Sequence, residues 1–149
     1  MGASDEVRQR TAAAWSAFRS AVDEGALDRV TTAGWTVQEM LAHVAFWLET
    51  TPPFVTGAFR GDASAFAVEF PSGYVPPDDG GWPSADVHNA REAEWARGQD
   101  ATVVVARLDR AYEALIAFLE TVSDDEATAH AEYFADIAHH LDAHLAELR

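Results

Sequence analysis

Apolar residues in this chain recur at intervals of three and four in four separated stretches, and nowhere do they alternate with polar residues over the length of a strand. That spacing puts one apolar stripe on each of four helices and leaves no face for a sheet to bury. Ser4, Asp5 and Glu6 read as an N-terminal cap with negative charge at the positive end of the helix dipole, and Val7, Thr11, Ala14, Trp15, Phe18 and Val22 follow at helical spacing. This first helix is expected to end at Gly25. Thr36-Val37-Gln38-Glu39 has the capping-box form, and Val37, Met40, Leu41, Val44 and Leu48 make one stripe before Pro52-Pro53, which should forbid continuation. Helix 2 is thus read as residues 36–51. The pattern resumes near Asp86, is interrupted or kinked around Gly98, and runs on through Val104, Leu108, Tyr112, Leu115, Leu119 and Val122 as a third helix in one or two pieces. Ser123-Asp124-Asp125-Glu126 is a second capping box, and Phe134, Ile137, Leu141, Leu145 and Leu148 define a last helix to the C-terminus.

Residues 52–83 hold all six prolines and five of the nine glycines, interleaved with Phe54, Phe59, Phe66, Phe70, Tyr74 and Trp82, which a disordered linker would lack. They read as an ordered crossover lying on the bundle, with Asp78-Asp79 as turn residues. Short links make antiparallel neighbours, and a connection of about 30 residues can return along a whole bundle. The expected fold is therefore all-α: a single four-helix-bundle domain over residues 1–149, up-down-down-up, with the long crossover between helices 2 and 3. A chain of this length buries about 68–70% of its unfolded surface, and 48% hydrophobic content supplies the core. Trp15, Phe18, Trp47, Tyr112, Phe118 and Phe134 sit at core spacing, and Trp35 is placed at the corner between helices 1 and 2.

Charge and composition narrow the functions. Ten Arg and no Lys against 25 Asp and Glu give a formal charge of -15, which makes nucleic acid and anionic membrane surfaces poor partners. There is no run of 18 apolar residues and no signal-like segment at the start, so a soluble cytoplasmic protein is expected. The absence of cysteine removes thiolate catalysis and sulfur-ligated metal sites, leaving His and carboxylates as the strong metal ligands.

Of six histidines, three share a geometry. His140 and His144 are four apart on one helix face, with Cβ atoms about 5–6 Å apart, the spacing of a bidentate metal clip. The alternative is a polar pair at a fraying helix end, where a protonated His complements the dipole. His43 flanks the stripe of helix 2 as the pair flanks Ile137 and Leu141. At 1.5 Å per residue it lies about 10 Å from the start of its helix, while His140 and His144 lie about 13 and 7 Å from the end of theirs. In the expected topology these helices are antiparallel, so the three rings fall in one layer, with open positions left on any shared ion. Three unrelated core or surface imidazoles are the competing reading. His130 reads as surface, and His139, turned about 100° from His140, as exposed or bonded to a neighbouring helix. His88, Asn89, Glu92 and the Gly80-Gly81-Trp82-Pro83 stretch are placed around the mouth of the site. Asn89 is a candidate cofactor or substrate contact, His88 or Glu92 a fourth ligand or proton carrier if not simply cap or solvated residues, and Trp47 a candidate pocket wall.

Trp35-Thr36 followed by His43, and the closing His140-Leu141-Asp142-Ala143-His144, resemble the signatures of the DinB/YfiT-like superfamily. The similarity extends to Asn89-Ala90-Arg91 and the Ser-Asp-Asp-Glu turn, and so covers most of the chain. The resemblance implies a four-helix bundle in which His43, His140 and His144 bind a divalent metal, commonly zinc or nickel. It also implies a thiol-dependent transferase or isomerase, as in mycothiol- and bacillithiol-dependent transferases and maleylpyruvate isomerases, acting on a small-molecule substrate. Mycothiol as the thiol accords with the 30 alanines and the all-Arg usage, which look like the bias of a GC-rich genome. Leu141 stands where a metalloprotease helix needs its general-base Glu, which disfavours peptidase activity. The alternatives are a metal- or ligand-binding stress-response module without turnover, and a homodimer, which bundles of this kind often form, whose purpose is oligomerisation itself.

Overall fold

A computed structural model of the chain describes residues 1–76 and 85–149. Six α-helices occur among them: α1 (Ala3–Ala21), α2 (Val37–Phe54), α3 (Ala85–Arg97), α4 (Ala101–Leu119), α5 (Asp124–Ala129) and α6 (Ala131–Leu148). No strand forms among the described residues, where the extended pairing is an isolated bridge between Val30 and Thr36. No helix among them is long and apolar enough to cross a membrane. Asp78-Asp79 and Gly80-Gly81-Trp82-Pro83 lie outside the described residues. The chain divides into two compact units, Met1–Val37 with Ile116–Arg149, and Gln38–Leu115.

In the first unit α1 packs on α5 and α6. Phe18, Leu119, Phe134 and Leu141 are fully buried, and Trp15 and Phe118 are half-buried. Ser4 does not cap α1: the N-cap is Gly2, and Ser4 lies inside the helix, where its N–H and Oγ donate to Asp124 Oδ1 at 2.9 and 2.7 Å. A carboxylate from α5 thus takes one of the first-turn N–H groups that the helix leaves unpaired, and these bonds hold the Asp124 carboxyl below its ordinary value. The helix also stops short of Gly25, at Ala21, because Asp23 Oδ1 accepts from the Gly25 N–H at 3.0 Å and closes a local turn instead. The expected capping box is formed, with Ser123 Oγ accepting from Glu126 N–H and Glu126 Oε1 from Ser123 N–H. It opens only the short α5, since His130, at φ -124° and ψ 39°, interrupts the single last helix that the sequence suggested.

The second unit contains α2, the crossover, α3 and most of α4. Pro52 and Pro53 do not end α2. The helix runs through them to Phe54 and widens into a π turn, Val55–Phe59, in which Arg60 N–H reaches back to Val55 O at 3.0 Å. Burial of Thr50, Thr51 and Val55 on this stretch outweighs the lost proline donors, a tertiary gain that overrides a local preference. Gly57 is required here for space: an added Cβ would come within 2.5 Å of the Phe66 ring, carried by the 3-10 turn Ala63–Phe66. Gly57→Ala is expected to lower stability by about 1–3 kcal/mol through overpacking, read as a fall in thermal midpoint. An unchanged midpoint would mean the ring moves aside freely.

Over its described residues the crossover folds on aromatic side chains. Phe70 N–H donates to Tyr74 O at 2.9 Å around Gly73, whose φ of +83° suits glycine, and Phe70 and Tyr74 pack with Phe46 as one buried cluster. The pattern break near Gly98 separates α3 from α4. Gln38 Nε2 donates to Ala96 O and Gln99 O, both at 2.9 Å, so carbonyls at the end of α3 find their donors on α2.

A buried ionic network ties this unit together. Arg107 on α4, 2% exposed, donates to Glu49 on α2 through Nε at 3.2 and 3.1 Å and Nη2 at 2.6 Å, and through Nη1 to Glu92 Oε2 on α3 at 2.6 Å. The other Glu92 oxygen accepts from Ser72 Oγ of the crossover at 2.6 Å, and the guanidinium lies 4.6 Å from the centre of the Trp95 ring. Burial acts to lower the Arg107 pKa, but the bonds and charges of the two glutamates more than reverse it, so the cation is retained. Two carboxylates share that one cation. Burial, with the Glu92 charge adding to it and Arg107 opposing, raises the Glu49 pKa.

Candidate metal centre

The α6 pair sits on the turn-by-turn ledge that its spacing implies. His140 and His144 are both half-buried, their rings edge to face at 4.5 Å, while Leu141 between them is fully buried. Their Nε2 atoms face one another at 3.0 Å. Glu147, one turn further on, receives a hydrogen bond from His144 Nδ1–H. That bond fixes the tautomer, since a neutral imidazole protonated on Nδ1 presents a lone pair on Nε2, the atom aimed at His140. Burial first, and then the charge of a protonated His144, pushes the His140 pKa down to about 4, so this ring is neutral near pH 7. Trp35 lies beside the second of them, its ring 5.9 Å from that of His144. It is held there by a turn in which Trp35 O accepts from Thr31 N–H and Oγ at 2.8 and 3.1 Å and Gly34 takes φ +94°. The corner role read from sequence gave no hint of that ring contact.

His43 occupies the buried side of α2, 6% exposed. One turn on, Trp47 stands edge-on to it with ring centroids 6.3 Å apart, and Trp47 in turn stands edge-on to His88 at 5.9 Å. His88 is buried against Phe46 at 4.8 Å and Tyr74 at 4.9 Å.

His43, His140 and His144 form a group of three that could hold a metal ion, each offering one ring nitrogen, with those nitrogens within 4.8 Å of one another. Two nitrogens bound to one tetrahedral zinc at about 2.0–2.1 Å stand roughly 3.3 Å apart, so the 3.0 Å between the α6 pair is close to what a shared ion needs. Neutral, oriented imidazoles are the ligand form of histidine, and the donor set therefore suits a divalent ion of the zinc type. The sequence model of the DinB superfamily matches residues 3–148, nearly the whole chain. The chain belongs to the DinB superfamily. No curated protein and no solved structure gives a significant match.

In this DinB-superfamily chain neither His88 nor Glu92 belongs to that three-membered group. Glu92, 1% exposed, is committed to Arg107 and Ser72, which removes it as fourth ligand or proton carrier, and a helix pattern gives no means of seeing a partner 15 residues away. Asn89 is half-buried with a buried Oδ1 that meets no hydrogen-bond partner among the described residues. His139 is exposed and touches Arg10 of α1 through Nε2 at 3.3 Å, combining both roles read for it. Glu147 escaped the sequence reading, although its spacing of three from His144 was the available signal. Glu147→Gln is expected to weaken zinc binding about 10–100-fold by loosening the His144 ring, measured by competition with a chromophoric chelator. Unaltered affinity would make Glu147 a surface partner of no consequence to the metal.

Proposed function

We propose that this chain is a cytoplasmic, metal-dependent small-molecule enzyme in which His43, His140 and His144 hold one zinc or nickel ion and a low-molecular-weight thiol, mycothiol in the first instance, is the co-substrate. The observation that carries the reading is the nearness of three neutral-capable imidazole nitrogens in a DinB-superfamily chain that has no thiol of its own. When bound, a divalent ion with three neutral ligands keeps its full charge and makes protons on groups that reach it easier to lose, which is the activation a thiol nucleophile needs near neutral pH. The residues do the rest. Glu147 orients His144, burial keeps His140 unprotonated, and Trp47 and Asn89 contact the cofactor or substrate. The reaction class is thiol-dependent transfer or isomerisation, with the four-helix bundle in up-down-down-up order and the homodimer as parts of the same reading.

Tag-free protein should carry close to one transition metal per chain by elemental analysis. Calorimetry should show mycothiol binding to the zinc-loaded protein and none to the metal-free protein. Thiol binding that ignores the metal, or metal binding with no affinity for mycothiol or other cellular thiols, would favour a binding module without turnover.

A further inference from the structure

Tyr74 is 3% exposed, and its hydroxyl, buried as well, meets no hydrogen-bond partner among the described residues. A buried hydroxyl that has given up water and gained no bond is a cost the fold does not need, because phenylalanine would fill the same space. The ring itself is held firmly. It stacks on Phe70 at 6.0 Å, stands edge-on to Phe46 and His88 at 6.0 and 4.9 Å, and carries the Arg91 guanidinium 5.1 Å from its centre. Ser72, two residues earlier, is anchored to the buried Glu92 at 2.6 Å, so this turn of the crossover is pinned to the ionic network. Trp47 and Val68, only partly buried, form the margin of the cluster, and Trp47 touches both His43 and His88. A rigid aromatic wall with one unspent hydrogen-bond donor, continuous ring to ring with a candidate metal ligand, has the composition of a small-molecule site.

We infer that the cluster of Phe46, Trp47, Phe70 and Tyr74 is the substrate-recognition wall beside His43, and that the Tyr74 hydroxyl donates the hydrogen bond that orients an aromatic ligand bearing an uncharged carbonyl oxygen. Aromatic walls favour a planar apolar body through edge and face contacts. The acceptor is uncharged because the four wall side chains bring no formal charge, and the neighbouring Arg91 guanidinium is seated over the face of the Tyr74 ring, 5.1 Å from its centre, and not beside the hydroxyl in the ring plane. A buried carboxylate without a bonded cation is far costlier than a carbonyl. Burial raises the Tyr74 pKa, with Arg91 opposing, which keeps the phenol a donor. The inference gives the proposed small-molecule function its substrate class and rests on that reading.

The test titrates wild-type and Tyr74→Phe protein, each zinc-loaded and metal-free, with acetophenone, benzoate and toluene, following the tryptophan indole resonances. Wild type is expected to prefer acetophenone over toluene by about tenfold, the worth of one well-made hydrogen bond in a desolvated site, and to bind benzoate more weakly than acetophenone. Tyr74→Phe should lose the preference for the ketone while melting at the same temperature or higher, since only an unbonded hydroxyl is removed. No preference in wild type, or an undiminished preference in Tyr74→Phe, overturns the inference and leaves the hydroxyl to a buried water. Benzoate binding more tightly than acetophenone overturns the uncharged class. Zinc titration of the same samples separates the two readings: ketone preference without zinc binding sinks the metal enzyme alone, and zinc binding without ketone preference sinks this wall alone.

Discussion

His140→Ala is expected to bind zinc more than about 100-fold more weakly than the wild-type chain, and to purify with almost no transition metal. Loosening a group that only orients a ligand already costs about 10–100-fold in metal affinity, and removal of the ligand itself must exceed that. The effect is confined to the metal if the proposed site is right. His140 is half-buried on a helix whose apolar anchors are its neighbours Ile137 and Leu141, so the alanine protein should stay folded. His139→Ala supplies the control, because that ring is exposed and, among the described residues, pairs with Arg10 and Asp136 and with no member of the histidine group. It should leave zinc affinity unaltered. A His140→Ala protein that retains one tightly bound zinc would remove the three-histidine site, and with it the activated-thiol chemistry.

Arg107→Met should be the most damaging single change to stability, at about 3–5 kcal/mol and roughly 10 °C in thermal midpoint for a chain of this size. The cause is not the lost bonds as such but the two carboxylates, the buried Glu92 and the half-buried Glu49, left without the cation that bonds both. A second prediction of sign follows. Burial already raises Glu49 above its ordinary 4.5 with Arg107 opposing, and losing Arg107 raises it further. A carboxyl whose folded pKa exceeds its unfolded one binds its proton better in the folded state, so stability is fullest below the unfolded value and is lost as pH rises through the folded one. The deficit of Arg107→Met should therefore be large at pH 7 and shrink towards pH 4. Replacing all three, Glu49→Leu, Glu92→Leu and Arg107→Leu together, should restore most of the lost stability. A deficit that is independent of pH, or a triple variant as unstable as the single one, would show that packing of the arginine stem and not charge is responsible.

The helical class and the α6 pair were legible because both are local. Apolar spacing near 3.6 residues marks helices wherever it occurs, and two residues four apart on a helix must lie on one face. Ser123-Asp124-Asp125-Glu126 likewise names its own partners within one turn, and it caps α5 as written. What failed was local rules applied where distant groups intervene. Pro52-Pro53 looks like a stop, yet burial of Thr50, Thr51 and Val55 carries the backbone through it into a π turn. Ser4 looks like a cap, yet Asp124, 120 residues away, does the capping. Glu92 looks like a solvated first-turn acid or a ligand, and becomes half of an ion pair whose other half the helical pattern treats as one more position on α4.

Sequence by itself therefore determined which segments coil and which imidazoles share a helix face, because those follow from backbone periodicity over a few residues. Tertiary structure alone decided that Arg107 would be buried between two glutamates, that Trp35 would lie on His144, and that the Tyr74 hydroxyl would be enclosed without a hydrogen-bond partner among the described residues. These depend on contacts between residues tens of positions apart, whose closing is governed by the whole packed core and leaves no periodic trace along the chain.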